Sequence, residues 1–176
     1  MAQDLPFQSI PPAPETFSSE HLIIRMIQGL GFRYFWATEG LREVDLEYSP
    51  SESGQTCRET LEHIYGLAEV IANSTQNKAT VRPPLEVPQK FKMLRSETLA
   101  FLKIATEQLK KMNPNELEAL QVIFERGGGQ TRFPLWNLIN GPISDAIYHT
   151  GQVVSFRRSS GNPIPQGVNV FLGIKN

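Results

Sequence analysis

Apolar residues recur at steps of three and four over four long stretches of the chain, which is the spacing of one face of an α-helix. The pattern predicts helices over about 18–43, 56–72, 88–112 and 134–159. The fourth helix should bend near Pro142, because a proline inside a helix removes one backbone hydrogen bond. Four long helices with one apolar face each favour an all-α four-helix bundle.

The connections between these helices are rich in proline, glycine and polar residues. Residues 1–16 contain a run of prolines and predict an extended arm, so that 17–176 form a single domain. A second proline-rich connection covers 82–88. Between helices three and four we expect a short irregular segment, in which 117–124 fit either a helical turn or a short strand. The glycines at 127–129 predict a flexible connector.

Polar side chains interrupt the apolar stripe of the fourth helix. An Asp, a His and a Gln occupy three successive inward positions of this stripe. An unpaired carboxylate in an apolar interior costs several kcal/mol, so buried charges are normally paired or bound to a metal. The helix therefore predicts a binding site on its inner face; its inward positions are Leu135, Leu138, Pro142, Asp145, His149, Gln152 and Phe156.

A third candidate ligand lies in the second helix. Thr56 and Glu59 have the spacing of a capping box, which marks a helix start. Counting from that start, His63 falls on the apolar face of the helix. His63, Asp145 and His149 would together form a two-histidine, one-carboxylate set, which leaves coordination positions open on Zn²⁺, Ni²⁺, Fe²⁺ or Mn²⁺.

The residues alone leave other interpretations open. An inward histidine such as His63 is commonly a hydrogen-bonded core residue. Asp145 and His149, four residues apart, can form an ion pair on one helix. Gln152, about one turn beyond His149, is a candidate for a hydrogen bond to a metal ligand, and equally for an ordinary core amide. Only the conjunction of the three candidate ligands favours a metal site.

Composition and charge narrow the class of protein. The chain has 176 residues, 40% hydrophobic and 20% charged, which is typical of a globular domain. A net charge of −1 predicts no nucleic-acid partner. The absence of a long apolar run predicts no membrane span. One cysteine excludes an internal disulfide framework, and the amino terminus lacks the pattern of a secretion signal, so we expect a cytoplasmic protein.

Several further residues have ordinary interpretations. Cys57 has no partner in the sequence and is interpreted as an inert thiol. His21 matches no ligand position and is expected at the surface. Arg157 and Arg158 are expected to cap the last turn of the fourth helix or to face solvent, with an anionic substrate group as the alternative. Tyr148, beside the candidate ligands, is interpreted as a packing residue.

Two short blocks carry a resemblance to a known family. They are TCRETLEH, residues 56–63, and DAIYHTGQVVSFRRSSG, residues 145–161. Together they resemble the DinB-like (YfiT-like) superfamily, whose pattern has a histidine in the second helix. Late in its fourth helix the family has His-x-x-x-His-x-Gly-Gln, followed by arginine and a closing glycine. The similarity in helix order and spacing extends over roughly residues 17–165.

The resemblance implies a four-helix bundle of up-down-down-up type, often dimeric, with Zn²⁺ or Ni²⁺ held by three histidines. His63 and His149 match two of these ligands, whereas Asp145 stands where the family usually has its remaining histidine. A carboxylate there shifts the preference toward harder ions such as Fe²⁺ or Mn²⁺.

Relatives of known activity include thiol-dependent transferases and isomerases, and an open metal site can activate a water or a thiol, so we expect a metal-dependent hydrolase or thiol transferase. Such an enzyme would act on a small molecule with a low-molecular-weight thiol as partner, and would form a homodimer. The alternative is a non-catalytic, stress-associated or ligand-binding scaffold with a degenerate metal site.

Overall fold

The computed structural model describes residues 4–84 and 86–176. Four long helices dominate it; shorter helical segments and a three-stranded sheet lie in the connections, and a two-stranded sheet follows the last helix. The helices are α1 Ser19–Thr38, α2 Glu43–Leu46, α3 Cys57–Ser74, α4 Phe91–Leu109, α5 Pro114–Glu118, α6 Trp136–Leu138 and α7 Ser144–Ser159. The strands are β1 Ala79–Val81, β2 Gln121–Arg126, β3 Gly129–Pro134, β4 Val168–Asn169 and β5 Ile174–Lys175.

The long helices α1, α3, α4 and α7 are close to those that the apolar periodicity predicts. Helix α4 packs against α1 and α3, and α7 packs against the other sides of the same two helices. The first helix is shorter than predicted, because the backbone of Glu39 is extended and Gly40 adopts a φ of 71°. Only glycine takes up such a φ readily, so the chain turns there before α2 begins. None of the described helices has the length and apolar character needed to cross a bilayer.

The expectation of a strictly all-α protein is wrong, because the connections form a three-stranded sheet and the segment after α7 forms a two-stranded one. Strand β1 pairs in parallel with β2, and β2 pairs antiparallel with β3. The expected connector at Gly127 and Gly128 is the turn of this β2–β3 hairpin, and both glycines have positive φ. Val122 and Ile123 on β2 are almost fully buried. The hairpin therefore packs an apolar strand against the helices, where the sequence left helix and strand both open.

The fourth helical stretch is kinked at the predicted proline. The short helix α6 leads into a π-helical turn over Ile139–Ile143, which contains Pro142. Within this turn Gly141 leaves helical geometry, with φ −94° and ψ −105°. The straight helix α7 begins only after the turn. Pro134 was predicted to start the helix, but it ends strand β3 instead.

The buried stripe of α7 lies beside the predicted one. Ala146, Thr150 and Val153 are almost completely buried, whereas Asp145 and Gln152 are only partly buried. The prediction that Asp145, His149 and Gln152 point to the centre of the core is therefore wrong. The buried row is displaced by one position in sequence and begins at Ala146. The small and apolar side chains occupy the interior, and the polar row lies at its edge, where water still solvates it.

The proline-rich arm lies against α1 and against the C-terminal hairpin formed by β4 and β5. Trp36 donates a hydrogen bond from its indole nitrogen to the carbonyl of Gln8, at 3.2 Å. The side chain of Arg25 donates to the carbonyls of Pro11 and Pro12. The amide of Ile10 donates to the carbonyl of Gly173. Backbone carbonyls of the arm thus find donors without a helix or sheet of their own.

The arm also packs closely against one glycine of α1. A Cβ atom on Gly31 would lie 2.5–2.8 Å from the ring of Phe7. We therefore expect Gly31→Ala to lower the free energy of unfolding by about 1–2 kcal/mol, since the cost of overpacking exceeds the gain in helix propensity. Urea denaturation of the purified variant measures this difference.

Gly29, in the same helix, provides a matched control. Its Cβ would meet only the flexible end of Arg33, at 3.2 Å. Gly29→Ala should be neutral or should stabilise the protein by up to about 1 kcal/mol. Equal effects of the two substitutions would contradict a close contact between Phe7 and α1.

Candidate metal centre

Helices α3 and α7 bring the three predicted ligands together. His63 lies near the middle of α3, and Asp145 and His149 lie in the first two turns of α7. The Nε2 atom of His63 is 3.2 Å from Oδ2 of Asp145, and Nε2 of His149 is 3.3 Å from Oδ1 of the same carboxylate. The two imidazole rings meet edge to face with their centroids 4.6 Å apart. One carboxylate therefore faces both imidazoles.

The spacing of these donor atoms fits a single metal ion. One ligand atom from each residue lies within 4.8 Å of the others. Donors at about 2.0–2.1 Å from a tetrahedral ion lie about 3.3–3.4 Å from one another. The two nitrogen–oxygen distances, each to a different oxygen of Asp145, are close to that value, so the side chains would have to close in on one shared ion. Two imidazoles and one carboxylate also leave room for further ligands.

The cluster lies at the surface in the groove between α3 and α7. The side chains of His63 and Asp145 are 46% and 42% exposed, and that of His149 is 16% exposed. The expected cost of burying a lone carboxylate therefore does not arise. Instead, the partly exposed side of the cluster gives an incoming molecule direct access.

Gln152 defines the proton arrangement on His149. The carbonyl oxygen of its side chain lies 2.7 Å from Nδ1 of His149 and accepts a hydrogen bond from it. In a neutral imidazole with its proton on Nδ1, the other nitrogen carries a lone pair. That lone pair then faces a carboxylate oxygen of Asp145 at 3.3 Å. Two electron-rich atoms at this distance repel each other, and a cation between them, either a metal ion or a proton, makes the arrangement favourable.

Tyr148 completes the polar row on α7, although its sequence position indicated only packing. Its ring meets that of His149 edge to face, with centroids 5.2 Å apart. Its hydroxyl accepts a hydrogen bond from the side-chain nitrogen of Gln152, at 3.4 Å. Tyr148 is 63% exposed, so it contributes little to the core and borders the open side of the cluster.

Arg157 has a role that the sequence did not reveal. It was expected to cap the helix or face solvent, but it is almost completely buried. Its guanidinium donates hydrogen bonds to the carbonyls of Trp36, Ala37 and Glu39 at the end of α1, and to Asn162 beyond α7. The last carbonyls of a helix have no partners within the helix. Arg157, from a distant helix, donates hydrogen bonds to these carbonyls and thereby joins the ends of α1 and α7.

Asp45 forms a second buried polar contact near this junction. Its carboxylate accepts hydrogen bonds from Arg42, Ser160 and Asn162, and its side chain is completely buried. The hydrogen bonds from Arg42 contribute most to holding the pKa of Asp45 well below its ordinary value, and they outweigh the opposing effect of burial. Asp45 and Arg157, each through its own hydrogen bonds, thus fix the end of α7 opposite the candidate metal cluster.

The two remaining reactive side chains lie outside the cluster. Cys57 is fully buried, and burial raises the pKa of its thiol to about 12, in agreement with an inert thiol. His21 lies at the start of α1, where its Nδ1 is 2.9 Å from the carbonyl of Thr16. It shares no contact with the cluster of His63, Asp145 and His149.

Comparison with known proteins gives a structural relative but no sequence relative. No protein-family model matches the chain, and no curated protein is significantly similar to it. The fold is similar to the crystal structure of a DinB-like protein, YjoA, from Bacillus subtilis, with a TM-score of 0.60 and 15% sequence identity. The match covers 82% of this chain and 96% of that one. The similarity supports the DinB-like resemblance of the two sequence blocks, and the chain has the DinB-like fold.

Proposed function

We propose that this protein is a four-helix-bundle protein of the DinB-like type that binds one divalent metal ion through His63, Asp145 and His149. The proposal rests on one observation: Nε2 of His149 lies 3.3 Å from a carboxylate oxygen of Asp145 while its Nδ1 lies 2.7 Å from the side-chain oxygen of Gln152, an arrangement that leaves Nε2 available to a cation. Gln152 is the residue that would hold His149 in the tautomer that a metal requires.

The charge of the cluster favours a divalent cation. One carboxylate and two neutral imidazoles carry a net charge of −1, so a divalent ion leaves the site with a charge of +1. Zn²⁺ and Ni²⁺ suit the imidazoles, whereas the carboxylate of Asp145 also admits Fe²⁺ or Mn²⁺. Because His63 and Asp145 are almost half exposed, the remaining coordination positions are open to solvent.

We propose further that the site serves an enzyme acting on a small molecule, with hydrolysis or thiol transfer as the reaction. A divalent ion there supplies Lewis acidity, which lowers the pKa of a coordinated water or thiol toward neutrality. The protein contributes the open position, the orientation of His149 by Gln152 and the exposed rim around Tyr148. The DinB-like resemblance is our reason to propose a low-molecular-weight thiol as co-substrate and a homodimer as the assembly.

Elemental analysis by mass spectrometry tests metal binding directly. We expect about one metal ion per chain in the parent protein, purified without a tag and incubated with Zn²⁺, Ni²⁺ or Mn²⁺. His63→Ala, Asp145→Ala and His149→Ala should each lose it. His21→Ala is the matched control, because it removes the one histidine outside the cluster, and it should retain the metal.

A parent chain that takes up none of these ions, although it is folded, would refute the proposal. The contacts among the three side chains would then be a hydrogen-bonded network in a non-catalytic scaffold. If metal is bound, the loaded protein should be screened with ester substrates and with thiol acceptors in the presence of glutathione or bacillithiol. Turnover that persists in the metal-free His149→Ala variant would assign the reaction to another site.

A further inference from the structure

A continuous row of hydrogen bonds runs from His149 to the surface. Nδ1 of His149 donates to the carbonyl oxygen of Gln152 at 2.7 Å, and the amide nitrogen of Gln152 donates to the hydroxyl of Tyr148 at 3.4 Å. Tyr148 and Gln152 are four residues apart, so they lie one above the other on the same face of α7. The row therefore links a candidate metal ligand to an exposed phenol.

This row can run in only two directions, because a side-chain amide has one accepting end and one donating end. In the direction observed, the phenol oxygen of Tyr148 accepts, and its own hydrogen points away from Gln152. In the reverse direction, His149 would carry its proton on Nε2 and donate it to Asp145. The amide of Gln152 would then be turned over, and the phenol of Tyr148 would donate its hydrogen inward.

The state of His149 Nε2 selects between the two directions. When Nε2 is occupied by a metal ion, the proton of the imidazole is confined to Nδ1. Gln152 must then present its carbonyl to the ring and its NH₂ group to Tyr148. The phenol hydrogen, excluded from this row, is free to bind an acceptor on the open side of the cluster.

We propose that Tyr148 donates a hydrogen bond to an anionic oxygen of the bound substrate, and that the relay through Gln152 turns its hydroxyl outward when a metal occupies His149. This inference rests on the proposed metal site and specifies its substrate as a molecule that carries a carboxylate or a similar oxyanion. The loaded site, with a charge of +1, attracts the same class of ligand. The 63% exposure of Tyr148 leaves its hydroxyl accessible.

Acetate binding to the Co²⁺-loaded protein tests the proposal, with the visible spectrum of the ion as the readout. Tyr148→Phe should weaken acetate binding roughly tenfold, since a hydrogen bond to a charged group contributes that much or more. Its affinity for Co²⁺ itself should remain within about threefold of the parent value, because Tyr148 is not a ligand. Tyr48→Phe is the matched control. The ring of Tyr48 packs beside Phe156 of α7, and its substitution should not change the affinity for acetate.

The position of the proton provides a second readout that does not depend on any added anion. Nitrogen-15 spectra of the Zn²⁺-loaded protein should show His149 protonated on Nδ1. A proton on Nε2, with the metal on Nδ1, would overturn the relay. Unchanged acetate affinity in Tyr148→Phe would overturn the role of the phenol. Both of these results leave metal binding intact, whereas a parent protein that takes up no metal would refute the proposed function itself.

Discussion

Zn²⁺ should raise the melting temperature of the parent protein by roughly 5–11 °C when its free concentration is about one hundred times its Kd. A ligand that binds only the folded state stabilises it by about 2.7 kcal/mol at that concentration. For a chain of this length each kcal/mol raises the melting temperature by roughly 2–4 °C. The bound geometry requires α3 and α7 to be packed together, so the unfolded chain offers no equivalent site. Differential scanning calorimetry with and without Zn²⁺ measures the shift.

His149→Ala should remove this shift almost completely, because it deletes the least exposed ligand of the three, at 16%. The variant should still fold, since its neighbours Ala146, Thr150 and Val153 form the buried stripe of α7. His21→Ala should show the full shift. A shift of the same size in His149→Ala would mean that Zn²⁺ binds elsewhere, and it would contradict the assignment of this cluster.

A chelator extends the same experiment to the protein as isolated. If the purified chain already holds its metal, EDTA should lower its melting temperature by a similar amount, and added Zn²⁺ should restore it. Neither treatment should affect Asp145→Ala, which lacks the carboxylate that faces both imidazoles. The comparison therefore separates a bound ion from a general effect of the reagent.

The sequence predicted the long helices from local periodicity. It grouped His63 with Asp145 and His149 because all three fell on inward helix faces and because two blocks resembled the DinB-like pattern, although His63 and Asp145 lie 82 positions apart. The spacing of Asp145 and His149 by one helical turn and the capping box before His63 each depend on a few neighbouring residues. The kink at Pro142 is equally local. Such features survive folding because the backbone geometry of a helix is the same wherever it packs.

The depth of the site could not be predicted in the same way. Two parallel rows of residues on α7 fit a helix face, one through Asp145 and His149 and one through Ala146 and Thr150. The two rows are offset by one position in the sequence. Only the positions of α1 and α3 decide which of them is buried. Strand β1 was missed, and β2 was left open between helix and strand, for a related reason. Their pairing joins residues more than forty positions apart, and no local pattern contains it.

The buried polar contacts at the far end of α7 could not be predicted from the sequence either. Arg157 and Arg158 are adjacent and chemically identical, but Arg157 is almost fully buried and Arg158 is exposed. The difference arises from the carbonyls at the end of α1, about 120 residues away. Periodicity places Arg157 on the inner row with Thr150 and Val153. An arginine at such a position is buried only when distant acceptors satisfy all of its donors.

Asp45→Ala should lower the free energy of unfolding at neutral pH by about 3–5 kcal/mol, the cost of removing one partner from a buried charged network. The substitution leaves the hydroxyl of Ser160 and the amide of Asn162 without their acceptor, at contacts that are 2.6 Å long in the parent. It also removes the negative charge that acts most strongly on the buried Arg157. The loss of the contact with Arg42 contributes less to the destabilisation, because the side chain of Arg42 is 52% exposed and water can replace the carboxylate. Urea denaturation measures the loss, and Glu43→Ala, an exposed position on the same short helix, should change stability by no more than about 0.5 kcal/mol.

The effect of Asp45→Ala should diminish in acid. The folded protein holds the pKa of Asp45 below its ordinary value, so the carboxylate contributes stability that is fully present above about pH 4. This contribution is lost as the pH falls below that value toward the pKa of the folded state, because the unfolded chain then binds a proton at Asp45 that the folded chain does not, which favours unfolding. The variant lacks this one contribution, whereas the other carboxylates with a lowered pKa, such as Glu59, are present in both proteins. The difference between the two proteins should therefore be smaller at pH 3 than at pH 7, and a difference that grew in acid would show that Asp45 is protonated in the folded chain.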